Sequence, residues 1–181
     1  MNLRFILQEE DYLQHELFVA SDNKIFKFSS ARILGAYLAV SAVSGYYLYT
    51  QNHLTAALIS IAIGGGIIAL LPRLIKAYYK NEIVKYVQNT FGSSRGKEIE
   101  CEFFTDNLMM GDGERAATIP YAQFENVTET RDYFYAKIKA SSHIIIPKGG
   151  VGNAHRVKQH LLSICKDLDI PYHENLDWSW E

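Results

Sequence analysis

The chain has 181 residues, 48% of them hydrophobic and 21% charged, with a formal net charge of −2. That balance excludes a strongly basic nucleic-acid-binding surface. Two cysteines, Cys101 and Cys165, are too few and too far apart for a disulfide framework or a paired-cysteine metal site, and both are expected as reduced, buried thiols. The average conceals a partition, because residues 31–80 hold four basic residues and no acid, whereas residues 1–30 hold five acids and residues 81–181 hold fifteen. A hydrophobic block therefore sits between two polar ones.

The first 30 residues include Glu9, Glu10, Asp11, Glu16 and Asp22, where a cleavable signal needs a short basic start, so the apolar block is expected to stay in the mature protein. Within them, residues 8–20 (QEEDYLQHELFVA) open with acids that suit a helix N-terminus and place Leu13, Leu17 and Ala20 at helical spacing. This predicts a short amphipathic helix. Its acidity disfavours an anionic bilayer, so docking on the cytosolic domain is expected.

Residues 31–49 and 54–71 are apolar segments separated only by TQNH, and each reaches the lower end of the length a helix needs to cross a bilayer. The second carries four Leu and five Ile, favouring insertion by roughly 3 to 5 kcal/mol before its glycines and serine subtract. The first is weaker, with Tyr37 at its middle and Tyr46, Tyr47 and Tyr49 at its end, where amphipathic rings suit headgroups. Small residues recur four apart, at Gly35 and Ala39, Ser41 and Gly45, Ser60 and Gly64, and Ala62 and Gly66. Such faces let helices pack closely in lipid, so a transmembrane hairpin is expected, and one face also allows a homodimer. Lys24, Lys27 and Arg32 precede the block, Arg73, Lys76 and Lys80 follow it, and the connection has no lysine or arginine. The positive-inside rule then puts both termini in the cytoplasm of a multi-pass inner-membrane protein.

Beyond Pro72, RLIKAYYKNEIVKYVQNTF continues as a helix with Ile83, Val87 and Phe91 four apart, ended by Gly92 and the loop SSRGK. Arg73, Lys76 and Lys80 are the candidate contacts to anionic headgroups. From residue 97 the pattern turns to strands: EIECEFF, ATIPYAQF, ENVTET, DYFYAKIKA and SSHIIIPK, with turns at Asp106-Asn107, Gly111-Asp112-Gly113, Arg131-Asp132 and Ser141-Ser142. A last helix is predicted from an Asn153 cap through AHRVKQHLLSICKDL, with Val157, Leu161, Ile164, Cys165 and Leu168 forming an apolar stripe over the sheet.

No catalytic constellation, metal site or cofactor motif is present in the pattern. The six histidines include no HExxH, and His155 and His160, five apart, do not share a helix face and read as solvent-exposed. KGGVGNAH lacks the ending of a phosphate loop, and Asp106, Asp112 and Glu114 do not match calcium-loop spacing.

Three stretches stand out together: EEDYLQHELFVASDNK, the apolar hairpin, and the run FFTDNLMMGDGERAATIPYAQFENVTETRDYFYAKIKASSHIIIPKGGV. In these the chain resembles the YcxB-like family, small bacterial membrane proteins whose C-terminal domain is similar to the bacterial pleckstrin-homology-like fold. Phe104, Asp106 and Leu108 match its Phe-x-Asp-x-Leu-like turn, and Ile119, Pro120 and Tyr121 its Ile-Pro-Tyr-like step. Tyr133 lies in its aromatic strand, and Ile146, Pro147 and Lys148 match its Ile-Pro-Lys-like ending. Gly149-Gly150-Val151 departs from the bulkier basic or aromatic residue usual there. A full pleckstrin-homology barrel has seven strands and the pattern supplies five or six, which leaves open an abbreviated sheet or one completed by a second copy.

The resulting expectation is an α+β chain: residues 1–30 an N-terminal cytosolic helical segment, 31–71 a two-helix transmembrane hairpin, 72–96 a juxtamembrane helix and linker, and 97–181 a cytosolic antiparallel β domain closed by a helix. The resemblance brings no reaction, so function is expected as binding. The first expectation is a non-enzymatic scaffold or regulator with membrane lipids and a protein as partners, engaged by a strand edge or by the tail NLDWSW. The alternative is an immunity protein against a membrane-targeting toxin of a bacterial competition system, the small-residue faces occupying the toxin's own spans.

Overall fold

The computed structural model describes residues 1–22, 24–92, 96–113, 115–139 and 142–180, and of residues 22 and 24–31 the backbone alone. The side chains of Lys24 and Lys27, loop residues 93–95, Glu114 and Ser141 lie outside the described residues. In chain order the elements are Asn2–Ile6 (β1), Glu9–Asp22 (α1), Lys24–Thr50 (α2), Leu54–Phe91 (α3), Glu98–Phe103 (β2), Asn107–Gly111 (β3) and Ala116–Pro120 (β4). Phe124–Glu129 (β5), Tyr133–Ile138 (β6), His143–Pro147 (β7), Ala154–Asp167 (α4) and Tyr172–Glu174 (β8) complete them. The fold is α+β, and it divides into two units, Met1–Glu16 with Val87–Glu181, and Leu17–Tyr86.

In the first unit the strands form two four-stranded sheets, ordered β1-β2-β3-β4 and β7-β6-β5-β8. The first is wholly antiparallel, and its edge strand comes from the start of the chain: Leu3 faces Cys101, Phe5 faces Ile99, and the Met1 ammonium donates to the Phe103 carbonyl at 2.9 Å. Residues 1–30 are thus not helical throughout. Along NLRFI the inward positions are Leu3, half-buried, and Phe5, buried, an alternation of only two apolar positions before the exposed Ile6 breaks it. The second sheet is antiparallel through β7, β6 and β5, and β8 adds to β5 in parallel, against the expectation of antiparallel pairing alone.

ATIPYAQF, expected as one strand, is broken by a 3₁₀ turn at Tyr121–Gln123. Pro120 has no N–H to continue the ladder, and Tyr121 turns its ring into the core, 3% exposed, so the chain leaves the first sheet here and enters the second. The other end of β3 turns at Gly113, whose φ of +83° is the left-handed region that glycine adopts without a Cβ penalty. The core takes Phe5, Cys101, Phe103 and Leu108 from the first sheet and Phe124, Val127, Phe134, Tyr135 and residues 144–146 from the second. Consecutive buried residues on β6 and β7 mean that both faces of the second sheet are covered.

Helix α4 starts where expected, the Asn153 side chain accepting from the Arg156 N–H at 3.0 Å. It buries Val157, Leu161, Ile164 and Cys165, packs on β5, and lays His160 edge-on against Phe103 of β2. One helix therefore touches both sheets.

The second unit is a helical hairpin. Asn52, at φ 61°, takes the left-handed conformation that ends α2, and the His53 carbonyl accepts from Ala57 to begin α3. Two of the expected small-residue pairs form its seam. Ser44 and Ser60 hydroxyls lie 3.2 Å apart, a Cβ on Gly64 would stand 2.5 Å from Ser41 Oγ, and one on Gly45 would stand 3.1 Å from Ile61. Gly35 and Gly66 face open space, and Ala39 and Ala62 are exposed.

Among the described residues, α3 is the one helix long and apolar enough to cross a membrane, and 11% of its most apolar window is buried. That low burial separates it from a soluble core helix. The expectation of two such helices is reduced to one on this measure: in α2 the tyrosines at 37, 46, 47 and 49 and the serines at 41 and 44 dilute the aliphatics. Helix α3 runs through Pro72 without ending, so residues 72–91 extend the same helix.

Two outcomes are expected. Gly64→Leu, which forces overlap with Ser41, destabilises the hairpin by about 1–3 kcal/mol and shortens its lifetime under proteolysis in detergent, whereas Gly66→Leu leaves it unchanged; equal sensitivity would put the seam elsewhere. Phe5→Ala lowers the urea midpoint of the β unit by the equivalent of about 3–5 kcal/mol, and a loss under 1 kcal/mol would mean that β1 is dispensable.

Candidate functional site

The motif positions gather at two corners of the β unit. At the first, the Phe104 N–H bonds to Asn107 across the β2–β3 turn, the Tyr121 N–H donates to the Asp106 carbonyl at 3.0 Å, and the Tyr121 hydroxyl donates to the Phe104 carbonyl at 3.0 Å. Tyr121 also meets Phe124 edge to face, while Ile119 and Pro120 pair with Leu108 and Asn107. Burial pushes the Tyr121 hydroxyl up to about 12, so it remains a donor throughout the physiological range. This corner is a turn packed around Leu108 and Tyr121, and the Phe104 ring, 45% exposed, faces outward with Thr105, Asp106 and Pro120.

The second corner is ionic. Glu129, at the end of β5, is 4% exposed and accepts from Lys148 Nζ at 2.6 Å, Lys158 Nζ at 2.7 Å and the Tyr172 hydroxyl at 2.9 Å. Lys158 reaches on to Glu174 at 2.8 Å. Burial pushes the Glu129 carboxyl up, but the bonds from Lys148, Lys158 and Tyr172 outweigh it, and the carboxyl sits below its ordinary value.

Lys148 is therefore not the solvated strand end that a lone lysine suggests. Its side chain is 18% exposed, also donates to the Thr130 carbonyl at 2.7 Å, and lies 4.8 Å above the Phe134 ring. With three internal partners it is occupied as a brace from β7 to β5, with Pro147 in register against Tyr133. Lys158, Tyr172 and Glu174 are equally part of the site, and nothing in the sequence pattern joins them to Glu129.

The third constellation surrounds the first half of α1. The Tyr133 hydroxyl donates to Asp11 at 2.9 Å, Tyr133 stacks on Tyr135, and the His15 ring lies 5.5 Å from Tyr135 and 4.8 Å from His143. On the other side of the helix Tyr12 stacks on Phe91 at 4.5 Å and Gln88 donates to Glu9. Within the β unit, residues 9–16 of this helix are thus docked through Asp11, Tyr12 and His15.

His155 is exposed and bonded to Gln159, but His160 is not solvent-facing as expected: its Nε2 is buried without a hydrogen-bond partner against Phe103, and burial lowers its pKa. Cys101 and Cys165 are buried free thiols, pushed up by burial to about 12 and about 11, which makes them inert. Among the described residues no group of three His, Cys, Asp or Glu is placed to hold a metal ion. Arg73, Lys76 and Lys80 are exposed along α3 after Pro72.

Comparison of the chain with protein-family models, curated proteins and solved structures yields no match.

Lys148→Met removes one of three donors to a buried carboxylate and lowers stability by about 1.5–3 kcal/mol. Because the Glu129 carboxyl is held below its ordinary 4.5, its contribution is full above that value and decays as pH falls through the lower folded one. Urea midpoints of the parent protein are expected to fall below pH 4.5 and those of Lys148→Met to fall less, and parallel acid limbs would remove Glu129 from the account.

Proposed function

We propose that the chain is a non-enzymatic scaffold or regulator of the bacterial inner membrane, of the YcxB-like kind, with both termini in the cytoplasm. In this reading α2 and α3 cross the bilayer as a hairpin and the β domain, of pleckstrin-homology-like architecture, works in the cytosol on a protein partner.

The carrying observation is the surface of the hairpin. Val40, Val43, Leu58, Ile59 and Ile63 are each 59–69% exposed, a band of aliphatics with no protein cover. Lipid satisfies such a surface, and the hairpin seam of Ser44, Ser60 and Gly64 is of the small, polar kind that packs helices in lipid. The basic flank of Arg73, Lys76 and Lys80 supports a cytoplasmic exit from α3 and anionic headgroup contact. For the domain, support comes from strand order: four antiparallel strands, a 3₁₀ corner, three more strands and a helix. Counting β1, the seven strands of a pleckstrin-homology barrel are available without a second copy.

A binding role is favoured because the polar clusters are self-satisfied. Glu129 and Lys148 bond to each other, and the tyrosines at the motif corners brace turns. Gly35, Ala39, Ala62 and Gly66, turned away from the seam, carry the second reading, an immunity protein whose hairpin pairs with a toxin's spans.

Crosslinking in native membranes followed by affinity purification tests both. One cytosolic or membrane protein recovered through the β domain supports the scaffold. A pore-forming toxin recovered only while Gly35 and Gly66 are intact supports immunity, and recovery of lipid alone overturns both. For topology, a C-terminal fluorescent-protein fusion is expected to glow and an alkaline-phosphatase fusion at Asn52 to be active; inactivity at Asn52 would remove the second span.

A further inference from the structure

We propose that His15 and His143 form a proton-sensitive latch that holds the first half of α1 on the second sheet at neutral pH and releases it in acid. The His15 ring is 8% exposed and lodged between helix and sheet, and its Nε2 is buried with no hydrogen-bond partner. Its Nδ1 lies 3.2 Å from the Glu16 carboxylate. The His143 ring stands 4.8 Å away at 60°, and Tyr135 closes the third side. The two rings pack against each other here. A proton on His143 places a charge in this nearly dry contact, which burial disfavours.

The neighbours determine the direction. From α1, Asp11 and Glu16 face the site, Asp11 being held by the Tyr133 hydroxyl. From β6 come Tyr133, Tyr135 and Lys137, and from β5 comes Glu125, paired with Lys137 at 2.6 Å. Beyond His143 opens a cleft of about 300 Å³, also lined by Lys97, Asp112 and Arg115, with Lys97 and Asp112 paired at 2.9 Å. Solvent protons reach His143 through it. Burial, then His15 and Lys137, lower the His143 pKa to about 4, and Glu16 and Glu125 only partly oppose them.

With α1 lifted away, His143 at the start of β7 loses the burial and the His15 contact that depress it, and its pKa rises toward the ordinary 6.5, while Lys137 and Glu125 stay with the sheet. The released state then binds the extra proton between pH 6.5 and 4, so docking is at full strength above 6.5 and weakens as pH falls through that window. Between pH 7.5 and 5.0 the opening equilibrium rises, by at most roughly thirtyfold. What acid uncovers is the Tyr133–Tyr135 face, and residues 9–16, without that packing, fray as a short helix does in water. The part of the window above pH 4.5, which includes the measurement at 5.0, lies above the acid range of Glu129 and keeps the latch separable from loss of the β core.

Hydrogen exchange on the full-length protein in lipid nanodiscs, at pH 7.5 and 5.0 and corrected for intrinsic rates, tests this. Amides of residues 9–16 are expected to lose protection severalfold, up to about thirtyfold, while those of β5 to β7 hold. His143→Phe, which keeps a ring and removes the proton, should leave residues 9–16 protected at pH 5.0. Should that variant misfold, ring-proton NMR of the parent protein reads the His143 titration directly, expected near 4. Unchanged protection of residues 9–16 in the parent protein, equal loss in β5 to β7, persistence of the loss in His143→Phe, or a His143 midpoint near 6.5 would each overturn the latch.

Discussion

Everything in the β unit depends on a pairing between the two ends of a long excursion. The Met1 ammonium and the Phe103 carbonyl meet across 102 positions of sequence, and β1 zips onto β2 from Asn2 to Ile6. Closing a loop of that length costs entropy, but the cost grows only logarithmically, by about 0.6 kcal/mol per doubling for a flexible chain. Much of the excursion is helix, and a hairpin of helices returns the chain toward its start. The insertion is therefore tolerable, and the sheet gains an edge strand that covers Cys101 and Phe103.

The second constraint is the placement of charge inside the β unit. A carboxylate as buried as Glu129 is tolerable only with its lone pairs filled, and they are filled from three separate elements: the end of β7, α4 and β8. The same bonds that satisfy the charge fix where α4 lies and bring β8 parallel to β5, since Lys158 also reaches Glu174. A buried ion pair contributes little net stability beside an apolar substitute, and its value here is in specifying one arrangement of helix and strands. The motif lysine is thus committed to the fold, which turns attention for binding to the free edge of β4, the exposed Phe104 ring and the face under α1.

Helix α1 joins these themes. Its first half is held by three unlike contacts, the Tyr133–Asp11 hydrogen bond, the His15–His143 ring pair and the Tyr12–Phe91 stack, and its chain then leads directly toward α2.

The sequence by itself determined the local elements: the helix α1, though it buries Tyr12, His15 and Leu17 rather than the stripe of Leu13, Leu17 and Ala20, the apolar α3, the Asn153 cap and the Val157, Leu161, Ile164 and Cys165 stripe of α4 without the exposed Leu168, and strands near β2, β5, β6 and β7. Each rests on periodicity or capping within a dozen residues, where short-range sterics and burial decide. It did not reveal β1 or β8, because NLRFI and YHE bury at most one side chain each and gain their structure from a neighbouring strand. Nor did it separate Lys148 from a solvated lysine or His160 from an exposed one. Only tertiary structure decided those, along with the Glu129 cluster and the His15–His143 pair, because their partners lie far apart in the chain and burial is a property of what folds on top.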